Sequence, residues 1–213
     1  MDLNTILKSS YLNKEKQKHA LSRYGYKYNS MLSDHDQQVY YNPNDRKLLN
    51  VVSGSHNLKD FVVTDVALAL GHLKDTNRYK QAAQILKQAK HKYSPRETTV
   101  VGHSLGGSIS SYIASKNDKE YDVNSGYTIG QKSRSRDGNH KHYRTTGDIV
   151  SLLGSNNPHV QTIDSGNSIK KNILASTAIA SINPVLGAVN FVNNVVKSHK
   201  TEPSKETISP VVL

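Results

Sequence analysis

No cysteine occurs among the 213 residues. That absence excludes disulfide stapling, thiolate metal sites and a cysteine nucleophile, so any core must hold without cross-links. Proline is scarce at 6, and 17 acids face 28 bases, for a formal charge of +11. At 35% hydrophobic and 21% charged, with 13 glycines, residue usage is that of a globular chain. Collagenous, coiled-coil and wholly disordered architectures are ruled out. A domain of this length buries roughly 70% of its unfolded surface, so one hydrophobic core is available.

The excess of base invites a nucleic-acid reading, and the distribution of charge decides against it. The densest run, Arg78, Lys80, Lys87, Lys90, Lys92 and Arg96, coincides with helically spaced apolar residues (Tyr79, Ala82, Ala83, Leu86, Ala89, Tyr93). That pattern describes a solvated helix face. The smaller basic loop at 132–136 carries no interleaved aromatics, and no zinc-finger, RRM or homeodomain pattern is present. No specific nucleic-acid partner is expected.

Met1 to Ser10 has no apolar stretch of the kind that leads a secretory signal, which predicts a cytoplasmic or virion-associated protein rather than a secreted one. Residues 172–196 carry no charge and are long enough to cross a bilayer. Asn183, Pro184, Asn190, Asn193 and Asn194 argue against that, since each would need a partner in hydrocarbon. Two buried or amphipathic helices broken at Asn183-Pro184 are expected, with a mobile cover over a site or attachment to a membrane surface or virion as alternatives.

The chain divides into a basic helical segment (1–36), a central domain (37–200) and a loose tail (201–213). Gln37 to Tyr41 and Lys47 to Ser53, joined by the turn-rich Asn42-Pro43-Asn44-Asp45, predict a hairpin. Helices are predicted over 58–73, 78–93 and 105–116, and strands over 98–101, 125–129, 140–145 and 160–163. Strands separated by helices of this length predict an α/β fold with a mostly parallel sheet covered on both faces.

The sharpest feature is Gly102-His103-Ser104-Leu105-Gly106-Gly107, directly after an apolar strand and before a helix. This is G-x-S-x-G in the context of a nucleophile elbow, where the serine occupies a strained turn and side chains two residues before or after it would collide with strand and helix. A serine nucleophile needs a histidine base, an orienting carboxylate and an oxyanion site, with acid and base following in that order. Asp148, beyond the strand at 140–145 and a Gly147 turn, is the candidate acid; Asp118, Glu120 and Asp122 read as a polar loop. The base should come from a loop beyond the next strand, which favours His199 and leaves His159 as the alternative. The oxyanion donors are the backbone N–H of Leu105 and, from the Val51-Val52-Ser53-Gly54-Ser55 loop, Ser55.

The stretches VYYNPNDRKLLNVVSGS, NLKDFVVTD, TTVVGHSLGG, GYTIG and HYRTTGDIVSLL resemble the class 3 (fungal-type) lipases of the α/β-hydrolase fold, particularly short viral members. By that resemblance Ser104 is the nucleophile, Asp148 the acid, His199 the base, and Ser55 with Leu105 the oxyanion hole. The expected activity is metal- and cofactor-independent hydrolysis of lipid esters through an acyl-enzyme. The contrasting expectation is an inactive hydrolase scaffold with a structural role in a virion.

Overall fold

The computed structural model describes residues 1–54, 71, 73–126, 138–145, 148 and 159–163. They build helices α1 (Leu3–Ser10), α2 (Lys14–Ala20), α3 (Asn77–Tyr93) and α4 (Leu105–Ile113). The strands are β1 (Lys27–Tyr28), β2 (Gln37–Asn42), β3 (Lys47–Val52), β4 (Glu97–His103), β5 (Lys119–Val123), β6 (His140–Thr145) and β7 (Val160–Ile163). Helix starts follow local chemistry. Asp2, Asn13 and Thr76 each cap a helix by accepting a backbone N–H three residues on, which satisfies one of the donors every helix N-terminus leaves open.

One seven-stranded sheet runs in chain order from β1 to β7. β1, β2 and β3 are antiparallel neighbours, and β3 to β7 are parallel. This bears out the expected α/β architecture, and the hairpin falls where Asn42 caps the turn by accepting from the N–H of Asn44 at 3.0 Å. Because the parallel strands advance in one direction, crossovers of one hand deliver their helices to one face. There α3 and α4 bury Leu86, Ala89, Ala82 and Ile109 against Val39, Leu48, Val52 and Val100. The opposite face is covered from the N-terminus. Leu3, Ile6 and Leu7 of α1, with Leu21 and Tyr26, pack on Tyr40, Leu49, Val51 and Val101. Alternation along β3 sends Leu48 to one layer and Leu49 to the other.

Four expectations need correction. The strand placed at 125–129 lies earlier, at Lys119–Val123, and residues 125 and 126 follow it, while 127–129 lie outside the described residues. The polar text of Glu120 and Asp122 read as loop, yet both side chains are buried and face His140 and His142 across the β5–β6 pair. The helix from Leu105 stops at Ile113 rather than 116, because Asp118 draws the chain into a turn by accepting from the N–H of Ser115 at 2.7 Å and binding Lys90 Nζ at 2.6 Å. The basic run on α3 is only partly a solvated face: Lys80, Lys87 and Lys92 are exposed, whereas Arg78 turns inward. The predicted helix at 58–73 falls almost wholly outside the described residues, as does the segment 172–196. Among the described residues no helix is long and apolar enough to cross a membrane.

Burial pushes the phenols of Tyr26 and Tyr40 up to about 12. Their folded pKa exceeds the unfolded value of about 10, so the unfolded chain releases these protons first. Below pH 10 neither group penalises the fold; from pH 10 toward 12 stability falls. Urea unfolding followed by circular dichroism across that window shows the decline, and Tyr40→Phe makes it shallower.

Candidate active site

The chain leaves β4 through Ser104, whose φ of +57° and ψ of −128° are sterically costly for any residue with a Cβ. Two features hold it there. Its N–H donates to the carbonyl of Val123 on β5 at 3.0 Å, and α4 begins at the next residue, Leu105. The flanking glycines allow backbone to touch backbone. A Cβ on Gly102 would come within 2.4 Å of the Gly106 carbonyl oxygen, and one on Gly106 within 2.2 Å of that of Val52 and 2.3 Å of that of Ser53. The turn therefore locks β4, α4 and the end of β3 together. Leu105 offers its N–H at the positive end of α4, where developing negative charge is stabilised.

The loop leaving β3 meets the nucleophile directly: a Cβ on Gly54 would lie 2.9 Å from that of Ser104. Three residues fix this loop, none of them among the site residues expected from the sequence. Tyr11, at the end of α1, accepts the N–H of Gly54 at 2.9 Å and reaches Nδ1 of His103 at 2.8 Å. Its ring remains partly exposed while the hydroxyl points inward, where burial raises the phenol pKa and the Gly54 N–H opposes the rise. The Arg78 guanidinium donates to the carbonyls of Ser53 and Gly54, the latter at 3.3 Å, with the Asp36 carboxylate 3.5 Å away. Burial lowers the Arg78 pKa and Asp36 counters it. Asp36 also fixes the loop through its own carbonyl, which accepts the Ser53 N–H at 2.9 Å and hydroxyl at 3.0 Å. One signal for Arg78 was legible. Half-buried itself, it extends the buried stripe of Ala82, Leu86 and Ala89 on α3, at spacings that place all four on one face.

Asp148 lies just beyond β6, fully buried, its N–H donating to the carbonyl of Thr145 at 3.1 Å. That turn is tied to the end of β5. Asn124, at φ +53°, accepts both the N–H and the hydroxyl of Thr145 on its side-chain oxygen, at 2.8 and 3.2 Å. Ser104 and Asp148 thus share the carboxyl edge of the sheet. His159 does not. It is exposed and immediately precedes β7, whose first residue aligns through His142 and Asp122 with Gly102. Three strand spacings, about 14 Å, separate β7 from β4, and His159 lies a further three residues, about 10 Å, below the level of Ser104. Ser55 and His199 lie outside the described residues.

The backbone contacts at the elbow set an expected outcome. Gly106→Ala forces a methyl against the carbonyls of Val52 and Ser53, and overpacking of this kind costs about 1–3 kcal/mol. Thermal unfolding should shift down by several degrees, whereas Gly138→Ala, whose added Cβ would meet no atom of the described residues within 4 Å, should leave it unchanged.

The model of the Tle-like phospholipase domain matches residues 12–200. Curated protein sequences yield no match. A solved fungal lipase–inhibitor complex, presented as a model for interfacial activation, is 14% identical and aligns over 70% of this chain and 71% of that one, with a TM-score of 0.50. The Lip2 lipase of Yarrowia lipolytica is 17% identical over 68% and 67%, TM-score 0.46. A triacylglycerol lipase of Penicillium expansum is 14% identical over 77% and 81%, TM-score 0.44. At such identities the likeness to the lipase–inhibitor complex speaks for the fold alone, and it agrees with the expected α/β-hydrolase core. The family match is broader, taking in the β3 loop, Arg78, the elbow and Asp148 in one span, and on that ground this chain belongs to the Tle-like phospholipase family.

Proposed function

We propose that this chain hydrolyses lipid carboxylic esters with Ser104 as nucleophile, through an acyl-enzyme. The observation that carries the reading is the positive φ of Ser104 on a strand-to-helix turn with the Gly54 loop against it. Such strain persists only where the surroundings enforce it, and it clusters at reacting groups. In the first step Ser104 Oγ attacks the ester carbonyl carbon and its proton passes to His199. The carbonyl oxygen, now an oxyanion, accepts from the N–H of Leu105 and from Ser55. The imidazolium returns its proton to the departing alcohol, leaving an acyl-serine. Water, deprotonated by the same histidine, then releases the fatty acid and restores Ser104. Asp148 holds the imidazole in the tautomer that presents its free nitrogen to Ser104 and stabilises the cation that forms.

His199 is preferred to His159 because the latter precedes β7, three strands from β4 and below the level of Ser104. The segment 172–196 would line the acyl pocket or dock on lipid, and the net positive charge would favour anionic head groups. Hydrolysis of a phosphatidylglycerol and of a short acyl ester checks each assignment. Ser104→Ala should abolish turnover of both, and Asp148→Asn should lower kcat by about 10²- to 10⁴-fold. His199→Ala should fall as far as Ser104→Ala while His159→Ala keeps full activity; the reverse pattern would move the base to His159.

A further inference from the structure

Beneath the elbow, on the face covered by α4, four ionisable side chains form a two-by-two array. Glu120 and Asp122 alternate along β5, and His140 and His142 stand directly across from them on β6. With a side-chain period of two, all four project to one face. All are 7% exposed or less, and Glu120 is wholly buried. Strand positions facing a core are ordinarily apolar, so two carboxylates and two imidazoles here are a conspicuous exception.

The internal contacts are incomplete in a particular way. His142 Nδ1 meets Asp122 Oδ2, Glu120 Oε2 lies 3.7 Å from His140 Nδ1 and 3.8 Å from His142 Nδ1, and Ser110 of α4 donates to Glu120 Oε1 at 3.2 Å. Asp122 Oδ1, on a side chain only 1% exposed, has no hydrogen-bond partner among the described residues. A buried carboxylate oxygen in that state calls for a ligand. One donor atom each from Glu120, Asp122 and His142 lies within 4.8 Å of the other two. A tetrahedral ion with bonds of about 2.1 Å holds its ligand atoms about 3.4 Å apart, a contraction within reach of side-chain rotation.

We propose that Glu120, Asp122 and His142 form a binding site for a divalent transition-metal ion, zinc in the first instance, with His140 steadying Glu120 as an outer partner. Two carboxylates and a neutral imidazole would carry a charge of −2, which a dication cancels in this buried region, and Asp122 binding through both oxygens would complete the four ligand atoms. The mixed nitrogen and oxygen set suits zinc better than magnesium or calcium, which take oxygen ligands in larger number. The site is structural. It cross-braces β5 and β6, whose carboxyl ends lead to Asn124 and Asp148, and does so in a chain with no cysteine to offer. Ser104 chemistry requires no metal, so the site and the esterase reading stand or fall separately.

The test uses full-length protein freed of any histidine tag. Metal content after purification and after dialysis against a chelator, followed by zinc titration in a calorimeter, should give one equivalent per chain. Thermal unfolding should rise with zinc and stay unchanged with magnesium or calcium. X-ray absorption of the zinc-loaded protein should show nitrogen and oxygen ligands near 2.0–2.2 Å and no sulfur. Asp122→Asn and Glu120→Gln preserve shape; each should lose the tight site while keeping the circular dichroism of the wild type. His140→Gln should bind about tenfold more weakly. Should those variants unfold, the wild-type titration still decides. Two results would overturn the proposal. One is wild-type protein that takes up no zinc and shows no thermal shift, which would leave the array as a hydrogen-bonded network without an ion. The other is undiminished uptake in folded Asp122→Asn, which would place the ion elsewhere.

Discussion

Backbone touching backbone at the exit of β4 is the constraint on which this molecule is built. Gly102 lies against Gly106, and Gly106 lies against the last carbonyls of β3, at distances no side chain tolerates. Those contacts bring α4 down onto the sheet, force Ser104 to φ +57°, and set the β3 loop beside it. Without them the serine would be one of several hydroxyls at a helix start. With them it stands above the sheet edge, with the N–H groups at the start of α4 beside it.

The parallel order of the sheet explains why the rest of the chain is arranged as it is. Crossovers of one hand carry α3 and α4 to a single face, which leaves Leu49, Val51 and Val101 on the other side in need of a cover. The N-terminal helices supply it. They add more than burial, for Tyr11 at the end of α1 reaches across to Gly54 and His103. The loop that would hold the oxyanion is thus braced from both faces, by Tyr11 on one and Arg78 on the other. A loop with its carbonyls engaged by a guanidinium and an N–H engaged by a phenol needs little reorganisation when charge develops, which is the condition for electrostatic stabilisation of a transition state.

Much of this was legible from residue patterns. The strands at His140–Thr145 and Val160–Ile163, the Asn42 hairpin and the elbow were all read from the sequence, because turn chemistry and the G-x-S-x-G spacing act over a few residues. β5 was not. Tyr121 and Val123 face the apolar layer under the N-terminal helices, but the positions toward α4 are Glu120 and Asp122, whose partners lie about twenty residues further on, and no local rule anticipates a buried array of that kind. Arg78 was lost for a related reason: a basic run disguised the one member that shares a stripe with Ala82 and Leu86. Tyr11 gave no signal, since its role depends on the N-terminal helices crossing over the elbow. Long-range polar pairing is what a single sequence conceals best.

The central claim is that the strained serine of this family member is a working nucleophile. Intact-mass spectrometry of the full chain after exposure to a fluorophosphonate, followed by peptide mapping, tests it most directly. One adduct per chain is expected, on the peptide containing Ser104 and lost when the protein is first unfolded. A folded protein that acquires no adduct, or acquires it on another residue, would contradict it.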